Sequence, residues 1–173
     1  MRDLGKACGM TAGALYHYIG SKKDILHLIS ISNPLGAEFL KEHLAKLGKV
    51  SCKTALRECF SLFCQQREMI RDYLIFFERV LYKFSPENLQ IMAKSKMDVY
   101  DFFEQLITEG IETGEFQVRN PKLVVNNMMV YGYDWATRSF SIRQHVTLEE
   151  YADEQFRMLF EPAIIENPEG SGL

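Results

Sequence analysis

The sequence predicts an all-α chain, and three observations predict it. Apolar residues recur with a period near 3.6 through almost the whole length, no alternating strand pattern interrupts them, and helix-starting residues stand ahead of most of the periodic runs. Helix breakers are sparse, with 5 Pro and 11 Gly in 173 residues, and they fall between the periodic runs as punctuation. A chain of this length that is 47% hydrophobic has enough apolar surface to bury a sizeable core.

The elements follow in order. A short helix over 2–8 ends at Gly9, a residue suited to the left-handed conformation that closes helices. Thr11 is a good N-cap for a second short helix over 12–18, which Gly20 ends. Ser21-Lys22-Lys23-Asp24 resembles a capping box with Asp in the acid position, and a third helix starts at Lys22. Pro34 interrupts it, and the pattern resumes over 35–47 until Gly48. Helices are then predicted over 52–66 and 68–83, the second apolar around most of its circumference. Ser85-Pro86-Glu87 starts a long helix to about 113 by placing an N-cap, a first-position Pro and an acid in sequence. Asn120-Pro121 starts a helix over 121–141, and Thr147-Leu148-Glu149-Glu150 one over 147–161. The polar, Gly- and Pro-rich residues 164–173 are expected to be a disordered tail.

Charge says little about function as a sum, −3, and somewhat more as a distribution. Residues 1–32 hold four basic and two acidic residues, while the remainder holds 16 basic and 21 acidic ones. A mildly basic head on an acidic body suits a small nucleic-acid-facing module carried by a part that does not touch the polyanion. The four cysteines, Cys8, Cys52, Cys59 and Cys64, lack paired Cys-x-x-Cys spacing and lie mostly in helical patterns, so they read as free thiols. No apolar run reaches the ~18 residues of a membrane span and no charged-then-apolar leader is present, so the expected location is cytoplasmic, without membrane contact.

A helix, a tight Gly-containing turn and a second short helix over 2–18 make the sequence form of a helix-turn-helix, in which the second helix enters the major groove of DNA. Leu4, Ala7, Met10, Leu15 and Ile19 are spaced to pack inward, leaving Thr11, Ala12, Gly13, His17 and Tyr18 outward. The run from Leu4 to Leu26, with its Gly9, Leu15-Tyr16, His17-Tyr18, Ser21-Lys22 and Asp24 in fixed order, resembles the DNA-binding signature of the TetR family of transcriptional regulators.

That resemblance implies a partial helix-turn-helix domain over 1–32 and a helical-bundle ligand-binding and dimerisation domain over 33–163. The family's first helix would precede Met1, so the resemblance implies either a start upstream or weakened DNA binding. It places Thr11, Ala12, Gly13 and His17 at the groove, Tyr16 and Tyr18 on phosphates, and Lys22 on a phosphate at the start of the next helix. Ala12 offers only apolar contact, so base reading rests on Thr11 and His17. The Tyr16 ring is alternatively core packing, and His17 a solvated surface residue. Gly5 stands where the family usually has Ala, at about 1 kcal/mol in helix propensity.

The implied partners are double-stranded operator DNA, a second copy of the chain and a small effector, with no cofactor or metal. Phe63, Tyr73, Phe76, Phe77, Tyr100, Phe103, Met128, Tyr131 and Trp135 supply the aromatic and flexible stock that an apolar pocket uses. Arg79, Glu104, Asn127, Asp134 and Arg138 are its candidate polar anchors. The last two helices would pair with their counterparts through Val124, Met128, Tyr131, Phe156, Leu159 and Phe160. The Trp135/Arg138 stretch and the Thr147–Tyr151 segment resemble a subgroup sensing acyl-CoA thioesters, with an aromatic or cationic effector as the alternative. A helical ligand-binding or interaction protein that no longer binds DNA is the other reading. Enzymatic patterns are missing: no GxSxG, P-loop or HExxH occurs, and only Asp24-Ile25-Leu26-His27 approaches a metal-binding Glu-x-x-His pair.

Overall fold

The computed structural model describes residues 1–31 and 36–161; the Pro34 interruption and the expected tail lie outside the described residues. Among the described residues the chain forms nine α-helices and no strand. These are α1 (Arg2–Ala7), α2 (Ala12–Tyr18), α3 (Lys22–Ile31), α4 (Glu38–Leu47), α5 (Cys52–Met69), α6 (Arg71–Val80), α7 (Pro86–Glu112), α8 (Pro121–Arg138) and α9 (Leu148–Phe160). Single 3-10 turns follow α6 at Leu81–Lys83 and α8 at Ser139–Ser141.

Thr11, Ser85, Asn120 and Thr147 cap the helices they were expected to start, and Ser51, which the sequence reading did not single out, caps α5 in the same way. Each accepts a hydrogen bond from a backbone N–H in the first turn of its helix. Thr147 and Glu150 complete a reciprocal capping box. At α3 the Ser21 backbone N–H and hydroxyl both donate to the Asp24 carboxylate, at 2.9 Å each, which fixes the turn between α2 and α3.

Several boundaries differ from the sequence reading: α4 starts at Glu38 and not at 35, and α6 spans Arg71–Val80 and not 68–83, with a 3-10 turn over Leu81–Lys83. The break after α5 falls at Ile70, one turn later than predicted, and the extra turn carries Arg67 as a buried residue of α5. Helix α8 ends at Arg138 and tightens into the 3-10 turn over Ser139–Ser141, where the Ser139 hydroxyl and Arg143 both donate to the Trp135 carbonyl. The Arg143 bond is 2.6 Å long, and the two together satisfy a carbonyl that the helix would otherwise use to continue.

The core is built around α5, which packs against α4, α7, α8 and α9. Its buried residues Leu56, Cys59, Phe60, Phe63 and Cys64 recur at helical spacing. Phe60, Phe63, Phe103 and Phe156 are fully buried, with Phe63 edge-on to Phe103 at 5.7 Å between ring centroids. All four cysteines are free, with Cys59 and Cys64 buried and Cys8 exposed. Burial pushes the Cys59 thiol up to about 11 and the Cys64 thiol up to about 12, which keeps both protonated at neutral pH.

Gly132 lets α8 approach α5. A Cβ there would lie 2.3 Å from the Phe63 ring, which is itself fully buried and cannot retreat. Gly132→Val is therefore expected to cost about 1–3 kcal/mol through overpacking, read as a lower midpoint in thermal or denaturant unfolding.

Candidate functional site

Three features carry functional potential: the α1–α2 head, a cavity among α5, α6, α7 and α8, and a polar contact between α3 and α7. The head is a helix-turn-helix in which α1 packs on α2 and Gly9 takes a left-handed φ of 65° in the turn. Leu15 and Ile19 are buried, and Leu4 and Met10 half-buried, as their spacing requires. Ala7 is exposed, contrary to its expected inward packing, because a six-residue helix packed on one neighbour covers only a narrow face.

Gly5 also reads differently in three dimensions. A Cβ there would lie 2.7 Å from the Met10 carbonyl oxygen, so the lost helix propensity accompanies a close approach of α1 to its own turn.

Thr11, Gly13, Tyr16, His17 and Tyr18 are all exposed, and Ala12 is half-buried. Tyr16 is 47% exposed and Tyr18 80% exposed, so neither ring is core packing. Thr11 is partly committed, since its hydroxyl caps α2 by accepting from Ala14 N–H at 3.1 Å. The Lys22 side chain lies outside the described part of the chain.

The cavity has a volume of about 500 Å³ and an apolar wall to which Phe63, Leu74, Phe77, Met92 and Met129 contribute. Of the residues expected there, Phe63, Phe77 and Tyr100 line it, as do the anchors Asp134 and Arg138. The others lie elsewhere. Tyr73 is half-buried and stacked on Phe77, while Phe76 is 43% exposed. Phe103 and Met128 are fully buried in the core. Tyr131 has its carbonyl bonded by the Tyr151 hydroxyl, and Trp135 packs on Tyr151.

The physical reason is register. On α7, Met92, Lys96 and Tyr100 share the cavity face, whereas Val99, Phe103 and Ile107 share the core face. On α8, Asn126, Met129 and Tyr133 face the cavity, while Val125, Met128 and Gly132 face the core. Among the anchors, Asn126 and not Asn127 is at the wall, accepting from the Tyr100 hydroxyl at 3.1 Å. Arg79 is exposed, and Glu104 lies 3.9 Å from Lys122.

Arg67, Lys96, Asn126 and Tyr133 are wall residues that sequence reasoning missed. The available signal was Arg67 itself, a charged residue four positions after Phe63 on the apolar stripe of α5.

Beside the cavity, Arg143 bonds Glu68 through both guanidinium Nη atoms, at 2.7 Å for Nη1, and lies 4.6 Å from the Trp135 ring centre. The bond from Arg143 holds the Glu68 carboxyl below the usual carboxylate range. A depressed carboxyl stabilises the fold above the ordinary carboxylate pKa, and this contribution is lost as pH falls through the depressed value. Both side chains are about a third exposed, so solvent screening limits the pair to about 1 kcal/mol. Glu68→Gln is expected to lose that much at neutral pH and nothing at strongly acidic pH, as measured by denaturant unfolding across the range.

The third feature joins the other two. Asn88 Oδ1, in the first turn of α7, lies 2.9 Å from His27 Nδ1 and accepts from the buried Ser30 hydroxyl at 3.3 Å. The Ser30 hydroxyl also bonds the His27 carbonyl at 2.7 Å. Helix α3 follows the head directly, and Leu89, next to Asn88, and Met92, one turn further along α7, are cavity wall.

A helix-turn-helix head, joined by one helix to a cavity-bearing helical body, is the architecture of a one-component regulator. Residues 53–161 match the family model described as Tetracyclin repressor-like, C-terminal domain, and the chain belongs to this family of transcriptional regulators. No curated protein matches the chain in sequence.

Solved structures share the fold. PfmR, a TetR family transcriptional regulator from Thermus thermophilus, aligns with a TM-score of 0.74 at 24% identity, covering 91% of this chain and 85% of its own. AibR, solved with isovaleryl coenzyme A and operator DNA, gives 0.68 at 20% identity over 94% and 87%. FadR from Bacillus subtilis, solved with stearoyl-CoA, gives 0.64 at 18% identity over 92% and 86%. Among the described residues no helix is long and apolar enough to cross a membrane, and no cluster of metal-ligating side chains occurs.

Proposed function

We propose that this protein is a ligand-responsive transcriptional repressor that leaves its operator when a small apolar or amphipathic effector enters the cavity. The observation that carries this reading is the Asn88 contact, which ties the wall-forming helix α7 to α3 and so to the head. An effector that repacks Leu89 and Met92 moves the adjacent turn of α7, and α3 with it. In a dimer, such a movement alters the separation of the two heads and lowers operator affinity. The acyl-CoA thioesters bound by AibR and FadR make that class, beside aromatic molecules, a reasonable source of effectors.

Residues 1–32 would form the reading domain and 33–163 the sensing and dimerisation domain. Dimerisation through α8 and α9 suits their exposed apolar residues, Leu123 and Met158, with half-buried Val124, Leu159 and Phe160 beneath them. Met128 and Phe156 support that layer from within the protomer, because both are fully buried without a partner.

His17→Ala is expected to cost about 1–3 kcal/mol of operator affinity and to relax base preference at one position. Lys22→Ala is expected to weaken all duplexes alike and to reduce the salt slope by about 1. Fluorescence anisotropy on labelled duplexes at several salt concentrations measures both. Unchanged affinity in both variants would contradict the assignment of α2 as the reading helix.

A further inference from the structure

The cavity wall is apolar except at a few points, and Arg67 is the deepest of these. It is 4% exposed, its guanidinium carbon lies 4.4 Å from the Phe63 ring centre, and its Nη1 is shut off from solvent with no hydrogen-bond partner. Among the described residues no carboxylate lies within ion-pair distance of it. The other cationic wall residues are satisfied differently: Arg138 lies 3.5 Å from Glu78, and Lys96 sits over the Tyr100 ring. Burial pulls the Arg67 guanidinium down to about 10, which still leaves it charged at neutral pH.

A buried cation without a counter-charge is costly, and a ligand anion that pairs with it relieves that cost. We propose that the effector is an apolar monocarboxylate, aliphatic or aromatic in its body, whose free carboxylate pairs with the Arg67 guanidinium inside the cavity. This rests on the reading of the cavity as the effector site. It narrows the effector to a free acid, because a thioester has no carboxylate to offer and carries its negative charge on phosphates too bulky for a buried position. The fork of Arg67 suits the two carboxylate oxygens, and Met92, Met129 and Phe77 suit the apolar body.

Isothermal titration of the whole protein with dodecanoate and with 1-naphthylacetate, each beside its methyl ester and with dodecanoyl-CoA as a further arm, tests this. At least one acid is expected to bind about 10- to 100-fold more tightly than its ester, the range of a hydrogen-bonded charge. Arg67→Met is expected to erase that preference by weakening acid binding far more than ester binding, with the melting temperature of the unliganded protein unchanged or higher. Arg67→Lys, which keeps the charge and loses the fork, is expected to keep part of the preference and serves if the methionine variant does not fold.

Equal binding of acid and ester to the unaltered protein would overturn the Arg67 pairing while leaving the cavity as an effector site. Tight binding of dodecanoyl-CoA alone, insensitive to Arg67→Met, would overturn it in favour of phosphate recognition at the rim. No binding by any probe would overturn both this inference and the cavity reading beneath it.

Discussion

Phe103→Ala is expected to lower the unfolding free energy by about 3–5 kcal/mol, the range of a fully buried Phe. The ring has no solvent exposure and meets Phe63 and Phe102 edge-on, at 5.7 and 5.4 Å between centroids, where α7 crosses α5. Little nearby is free to collapse into the space, because Phe63 is held by Gly132 on one side and by the Arg67 guanidinium on its face. For a chain of this length the loss corresponds to a fall in Tm of roughly 6–20 °C at fixed protomer concentration. Phe77→Ala is the matching control. Phe77 is half-buried and lines the cavity, so its truncation is expected to cost far less stability and to act mainly on effector affinity. Differential scanning calorimetry of the two variants separates core from wall, and equal losses would show that the two faces of this region are not distinct.

The second large effect is functional. Asn88→Leu removes the oxygen that lies against His27 Nδ1 and accepts from the Ser30 hydroxyl, while Ser30 keeps its bond to the His27 carbonyl. The stability loss is expected to be modest, about 1–2 kcal/mol for a buried side chain making these contacts. Communication is expected to suffer more. Coupling between effector and operator in such regulators is typically 1–3 kcal/mol, or about 5–150-fold in affinity. In the variant, effector and operator should each still bind, with the mutual effect reduced towards none. Operator affinity with and without effector, and effector affinity with and without operator, must change by the same factor. A variant that responds as the unaltered protein does would remove the α3–α7 contact from the pathway.

The helical architecture was legible in the sequence because helix starts and stops are local. Ser85-Pro86-Glu87, Asn120-Pro121 and Thr147–Glu150 announce themselves through capping groups that act within one turn, and the helices begin where those residues place them. The head was legible for a similar reason: a short motif with a Gly turn fixes its own outward face, and Thr11, Gly13, His17 and Tyr18 are on it, while Ala12, also expected there, is half-buried.

The cavity was not legible, because its wall is set by which face of α7 and of α8 turns towards α5. Phe103 and Tyr100 are equally plausible as bare residues, and three positions along the helix separate core from wall. Arg67 was overlooked because a charge near the end of a predicted helix reads as a solvated terminus. Only the extension of α5 to Met69 carries it inside. Interhelical register is a tertiary property, and the amphipathic pattern constrains it only to within about one residue step of 100°.

Fluorescence anisotropy of the full-length gene product on a labelled duplex spanning the region upstream of its own gene, from low to physiological salt, tests the central claim most directly. The expected result is dimeric, sequence-preferring binding that outcompetes random duplex by at least about 10³-fold and weakens linearly in log–log with salt. A folded dimer that binds the upstream and random duplexes equally weakly, or binds neither at low salt, would contradict a DNA-reading regulator and leave a helical sensor with no operator to release.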